Sequence, residues 1–204
     1  MPTLRADLDL SGALLGTMAI GAALVPDALD DTFRRRLLSE IEDGPFEPLP
    51  ERTGRKGVRQ QADSFVVRAD MGGYPLTRQL RDDLMSRLRQ RSAPQSGLPA
   101  WLPDQASVQR YLPGSLGVSP HLDGKRFHYL VAVFTLEGAA TFALCADRTG
   151  TVLHQWETLP ASLVLMRGPG LAGSEDGRPL HTVRGPRQGR RTSLTYRMDS
   201  TVSQ

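Results

Sequence analysis

The stretch Ser119-Pro120-His121-Leu122-Asp123 places an imidazole and a carboxylate two positions apart, and a second imidazole, His181, follows sixty residues after the first. Residues i and i+2 of an extended segment point the same way, so His121 and Asp123 can reach one ion together. His181 must then arrive from another element. Two imidazoles and one carboxylate on one face of an octahedron leave the other positions open, a ligand set suited to Fe(II). Zinc takes the same donors. By itself the His-x-Asp pair is equally what a surface turn from Pro120 to Gly124 would contain, so its meaning depends on its company.

That company begins with Arg191. In an extended strand over this region Arg191, Ser193, Thr195 and Arg197 share one face, and Leu194, Tyr196 and Met198 share the other. The same alternation groups Gln109 with Tyr111, opposite Val108 and Arg110. Gln, Tyr, Ser and two Arg do not make an apolar core. An inward Arg191 would need a carboxylate, internal or on a ligand, because a buried guanidinium without a partner is costly. Turned outward, the same face would meet water, and the pattern allows both.

The elements that must hold these residues follow from the texture of the chain. From Ala106 onward short β-rich segments are punctuated by Gly and Pro. About eight strands are expected, near 107–112, 117–122, 127–136, 140–146, 151–156, 162–167, 180–183 and 190–198, the spacing of a sandwich or barrel. Eight strands in two sheets make a jelly-roll, or double-stranded β-helix, of cupin-like form, whose interior accepts a metal or small ligand. The expected class is therefore α+β, mainly β, with N-terminal helices bracing the core.

The first hundred residues read as support and cover. Pro26 and Asp27 open a helical pattern to about Glu42, with Leu29, Phe33, Leu37, Leu38 and Ile41 at helical spacing, and Gly44-Pro45 stops it. Arg34, Arg35 and Arg36 fit a solvated face paired with Asp30, Asp31 and Glu40. Residues 44–61 are Pro, Gly, Arg and Lys without periodicity, a surface loop able to cover a site. A short strand over 64–68 and a second amphipathic helix from Tyr74-Pro75 to about Arg91 follow, then a Pro-rich connector over 92–103.

At 204 residues the chain fits one domain, divided as 1–100 for support and cover, 101–198 for the core and 199–204 as a tail. Hydrophobic residues at 39% and charged residues at 23% exclude a disordered chain. A net charge of +3 permits a polyanionic partner without demanding one. Cys145 is the only cysteine, which excludes an intrachain disulfide and a thiolate cluster and fits a reducing, cytoplasmic setting. Residues Ala13 to Val25 are apolar but too short to span a bilayer, are interrupted by Gly16 and Gly21, and lack a basic start. They are expected to be a buried strand or a docking piece, with no membrane partner.

Taken together, the ordered blocks Gln109-Arg110-Tyr111-x-Pro-Gly, His121-x-Asp123, His181 and Arg191-Thr-Ser-Leu-Thr-Tyr-Arg197 resemble the Fe(II)/2-oxoglutarate-dependent dioxygenases, and within them the AlkB-like branch. The resemblance covers about Pro99 to Met198. It implies that His121, Asp123 and His181 hold Fe(II), and that Arg191 grips the distal carboxylate of 2-oxoglutarate in a bidentate fork. Tyr111 and Ser193 would hydrogen-bond the cosubstrate, and Arg197 would lie near its metal-binding end. Gln109 and Ser193 stand where the branch has Asn. The implied reaction uses O2, converts 2-oxoglutarate to succinate and CO2, and hydroxylates an unactivated C–H bond. Retention of Asp123 separates the chain from halogenases of this class, which carry a small residue there.

Other candidates have plainer roles. His128 and His154 read as packed or solvated, Trp101 and Trp156 as packing residues, and Lys125-Arg126 as a solvated turn. Arg184, Arg187 and Arg190 are expected to point to water. A lid that flips a damaged base needs stacking aromatics, and the first hundred residues supply only Phe33, Phe46, Phe65 and Tyr74. The sequence therefore favours a small-molecule substrate, with oxidative demethylation of alkylated nucleic acid and a catalytically silent binding module as alternatives.

Overall fold

A computed structural model describes residues 2–68, 71–92 and 96–201. The polar half-faces read from the sequence turn inward, and two antiparallel sheets are what turns them. One sheet has seven strands in the order β1 (Ala22–Val25), β11 (Leu163–Arg167), β8 (Phe127–Glu137), β13 (Arg191–Asp199), β6 (Gln105–Tyr111), β5 (Asp63–Arg68) and β2 (Glu47–Pro48). The other has six, in the order β10 (Val152–Thr158), β9 (Ala140–Cys145), β12 (His181–Arg184), β7 (Gly117–His121), β4 (Val58–Gln61) and β3 (Arg52–Thr53). This is the jelly-roll expected, with every strand of the second hundred residues within two residues of its expected bounds.

Three helices, α1 (Leu10–Ile20), α2 (Asp31–Glu42) and α3 (Pro75–Arg91), cover the outer face of the seven-stranded sheet. Phe33, Leu37 and Ile41 of α2 and Leu80, Leu84 and Leu88 of α3 join Val108, Phe134, Leu194 and Tyr196 in one buried cluster. Each such side chain contributes about 1.5–3 kcal/mol by leaving water. Two polar contacts fix the helices to each other and to the sheet: the Glu40 carboxylate accepts from the backbone N–H groups of Leu76 and Thr77 at 2.7 and 2.8 Å, and Tyr196 Oη donates to Thr77 O at 2.6 Å. A smaller cluster of Phe127, Val131, Phe142, Leu144, Val164 and Met166 lies between the sheets. The helices thus leave the sheet interior free for chemistry.

Four expectations need correction. Ala13 to Ile20 belong to a helix, and only Ala22–Val25 form a strand. The helix is capped by Asp9, whose side chain accepts from Gly12 N, and ends at Gly21 with φ 97°. Helix α2 starts at Asp31 instead of near Pro26, because Asp30 caps it through Phe33 N and Asp27 takes a left-handed φ of 46°. Residues 44–61 are not a structureless cover: they form β2, β3 and β4. Finally, Arg34 and Arg35 do pair with Asp31, but Asp30 and Glu40 are spent on helix caps.

The connector at 92–103 contains a 3-10 turn over Leu98–Ala100, while 93–95 lie outside the described residues, as do 202–204 of the expected tail. Among the described residues no helix is long and apolar enough to cross a membrane.

Candidate active site

His121 ends β7, His181 begins β12, and the two strands pair with these residues directly opposite. A bulge between the 181/121 pair and the 183/118 pair sets the local register. Asp123 follows β7 by two residues, as the spacing required. Nitrogen and oxygen donors of His121, Asp123 and His181 lie within 4.8 Å of one another, with His121 Nε2 at 3.8 Å from Asp123 Oδ1. The imidazole rings are 4.2 Å apart.

The outer contacts of these rings decide which nitrogen is available. His121 Nδ1 meets Ser119 O at 3.0 Å and His181 Nδ1 meets Pro179 O at 3.1 Å. A carbonyl only accepts, so each Nδ1 carries the proton and each Nε2 keeps its lone pair. Burial, helped by the adjacent His121, pulls the His181 imidazole down to about 4, which keeps it neutral and able to ligate at ordinary pH. Burial opposes ionisation of Asp123, but the positive charge of Arg197, with Arg178 behind it, favours the carboxylate and holds the carboxyl below its usual range. One anionic and two neutral donors, close together and partly open, fit a divalent transition-metal ion. Among the described residues no hydrogen-bond donor reaches the buried Asp123 Oδ2, which leaves that lone pair free for a ligand.

The facing sheet supplies the second half of the site. Arg191, Ser193, Thr195 and Arg197 of β13, with Gln109 and Tyr111 of β6, line a cavity of about 190 Å³ that also touches His121, Asp123 and His181. Register places Arg191 opposite Tyr111 and Ser193 opposite Gln109. Tyr111 Oη donates to Gln109 Oε1 at 3.0 Å, and Arg197 Nε lies 3.8 Å from Asp123 Oδ2.

Arg191 is 2% exposed, and its only side-chain hydrogen bond among the described residues goes to Thr135 Oγ1 at 3.3 Å. Its Nε has no partner, and no carboxylate among the described residues pairs with it. Burial accordingly pushes its pKa down, with partial relief from Tyr111. Such a guanidinium calls for an anion that enters from outside.

Several residues at the site were not expected from sequence. Gln60 of β4 lines the cavity from within the stretch read as a loop. Arg178 donates through Nη1 to the backbone carbonyl of Asp123, while its other nitrogens hold Asp176 at 2.8 Å. Phe142 stacks on His181 at 5.5 Å and Thr135 steadies Arg191. The Asp-x-Arg spacing of 176 and 178 was a usable signal for the second of these; nothing local marked the others.

The remaining candidates fall elsewhere. His128 packs edge-on to Tyr129, His154 is exposed on β10 against Trp156, and Trp101 is buried with its indole N–H on Leu130 O. Lys125 pairs with Asp176 and Arg126 with Asp199. Arg184 and Arg187 are exposed as expected, whereas Arg190, expected in water, bridges Glu137 at 2.8 Å and Glu42 at 3.0 Å.

No protein-family model and no curated protein matches the sequence. Solved structures do match the fold. A prolyl-4-hydroxylase of Pseudomonas putida is 21% identical, with a TM-score of 0.63 over 93% of this chain and 98% of its own. The prolyl hydroxylase of Trichoplax adhaerens, in complex with a hypoxia inducible factor oxygen degradation domain peptide fragment, is 12% identical, with a TM-score of 0.65 over 96% and 93%. An oxidoreductase of the 2OG-Fe(II) oxygenase family from Burkholderia pseudomallei is 16% identical, with a TM-score of 0.63 over 98% and 96%. The chain therefore has the fold of these oxygenases.

Proposed function

We propose that the protein is an Fe(II)/2-oxoglutarate-dependent dioxygenase that hydroxylates an unactivated C–H bond. The observation that carries this reading is Arg191: a buried guanidinium with no carboxylate among the described residues, in the same cavity as two imidazoles and a carboxylate. A plain metal-binding module would have no use for it, and the catalytically silent alternative leaves its burial cost unexplained. The fold neighbours support the same reaction class.

His121, Asp123 and His181 would hold the iron, through two Nε2 atoms and one carboxylate oxygen. Bound together, Fe(II) and 2-oxoglutarate supply oxygen activation, with oxidative decarboxylation to succinate and CO2. The chain does the rest. Arg191 would take the distal carboxylate, and the buried Tyr111, Ser193 and Thr135 close the inner end against water. Gln109 orients the Tyr111 hydroxyl. Arg197, 3.8 Å from Asp123, would offset negative charge near the metal-binding end of the cosubstrate.

The AlkB-like assignment is the finer part of the sequence reading, and one observation weighs against it. No Phe, Tyr or Trp side chain is exposed, so no stacking platform for a flipped base stands ready at the surface. Hydroxylation without nucleic-acid recognition is the reading retained. It is tested by following succinate formation with Fe(II), 2-oxoglutarate and candidate substrates: product that depends on all three supports it, and failure to consume 2-oxoglutarate with intact metal binding refutes it.

A further inference from the structure

Strands β1, β2, β3 and β10 stand at the ends of the two sheets. The first three have four, two and two residues, too short to offer much edge, whereas β10 has seven and pairs only with β9. An edge of that length is a template for a second strand unless Pro, Lys or an inward charge blunts it. Val152 to Thr158 contain no Pro, Lys or Arg, and their single charge, Glu157, alternates with the inward-facing Trp156. The bulge between Val152 and His154 disturbs one end, but His154 to Thr158 hold a regular register, from His154 opposite Leu144 to Thr158 opposite Ala140.

The side chains of this strand are equally uncovered. Residues 152–155 and Glu157 are exposed, and Trp156 is half-buried against Phe142, 6.0 Å away between ring centres. Val152 is 39% exposed, Leu153 60% and Leu159, just past the strand, 54%. Three large apolar side chains within eight residues, beside a half-buried Trp, mark a surface that another protein covers.

Hydrogen bonding shows which backbone groups are free. Cys145 N donates to Leu180 O at 2.8 Å, so Cys145 turns its peptide toward β12, and Ala146 N donates to Thr151 O at 2.8 Å, toward β10. By alternation Leu144 and Phe142 also face β10, and they engage their partners His154 and Trp156. Gln155 and Glu157, between and beyond those two, therefore direct N–H and C=O to the open edge.

A second copy of the same strand fits this edge in one register. With a two-fold axis at Glu157, two carboxylates lie directly opposite, which is destabilising. With the axis at Gln155, Leu153 meets Glu157 of the partner subunit and Leu159 stays uncovered. With the axis at Trp156, Gln155 meets the partner's Glu157, His154 meets the partner's Thr158, and exposed Leu153 meets the partner's exposed Leu159. The free peptides of Gln155 and Glu157 then form the hydrogen-bonded pairs. Trp156 meets its own copy at the non-hydrogen-bonded position, where side chains come closest and aromatic pairs add stability.

We infer that two copies of the chain pair β10 against β10 about a two-fold axis at Trp156, joining their six-stranded sheets into one continuous sheet. The inference stands on this strand alone and is independent of the dioxygenase reading.

The register makes opposite predictions for two changes at one exposed side chain. Full-length wild type, Gln155→Lys and Gln155→Glu are compared by sedimentation equilibrium over a concentration series, at low and high salt, with far-UV circular dichroism as the check on folding. The wild type should be a dimer in equilibrium with monomer. Gln155→Lys, set against the partner's Glu157, should tighten the dimer about fivefold, and Gln155→Glu should weaken it about fivefold, with both differences shrinking in high salt. The exchange Gln155→Glu/Glu157→Gln should restore the wild-type dissociation constant. A wild type that stays monomeric throughout the series would overturn the inference. So would a dimer indifferent to both substitutions, which would use another face, or one weakened by both, which would set residue 155 against its own copy.

Discussion

The two ends of the cavity are built in opposite ways. At the inner end Arg191, Ser193 and Thr195 of β13, Tyr111 of β6 and Thr135 of β8 come from adjacent central strands of the seven-stranded sheet, and each is at most 2% exposed. At the mouth the short strands β7, β12, β4 and β3 carry a bulge, partly exposed ligands and an exposed hairpin. The inner end is fixed by neighbours on both sides and can recognise only one small, charged group. Apart from the three metal-binding residues, the mouth can vary without disturbing the inner end. On the proposed reading, cosubstrate binding falls to the seven-stranded sheet and the metal to the strands of the other, and a change at one end should leave the other intact.

The largest effect should come from Asp123→Ala, which removes the only anionic donor of the triad. Turnover should fall below detection, and the metal-free protein should melt lower than wild type, because the change leaves the largely buried Arg197 without the carboxylate beside it. A catalytically active variant would break the assignment of the mouth.

Next is Arg191→Met, which should raise the 2-oxoglutarate concentration for half-saturation about 100-fold through loss of a charge-assisted pair. Its metal affinity should not change, and its melting temperature should hold or rise, since a buried unpaired charge is removed. Arg178→Met comes third. It releases the backbone of Asp123, and metal affinity should drop about 10–100-fold while the response to 2-oxoglutarate at saturating metal stays the same. The smallest change belongs to Glu40→Gln, far from either end, which weakens the clamp on the start of α3. It should cost about 1 kcal/mol of stability with unaltered kinetics.

What could be read from sequence followed the same division. Arg191, Ser193, Thr195 and Arg197 were placed on one face by strict alternation, and β13 is long enough for alternation to be unambiguous. His121 and Asp123 were legible for the same reason, and His181 by the order of blocks around it. The helix over Leu10–Ile20 was not, because its apolar residues surround it with no polar stripe to mark a period. Strands β2, β3 and β4, of two to four residues, are too short to carry alternation, so Gln60 stayed hidden in an apparent loop. Arg190 deceived because a neighbour of an inward arginine points outward, and the acids that meet it, Glu42 and Glu137, come from distant elements.

The central claim is that one cavity binds Fe(II) at the mouth and 2-oxoglutarate through Arg191 behind it. Anaerobic addition of Fe(II), then 2-oxoglutarate, with the visible spectrum recorded at each step, tests it most directly. A charge-transfer band should appear only when both are present, be absent in Asp123→Ala, and require about 100-fold more 2-oxoglutarate in Arg191→Met. A wild-type protein that binds Fe(II) but gives no band at any 2-oxoglutarate concentration, or a band indifferent to Arg191, would contradict the account.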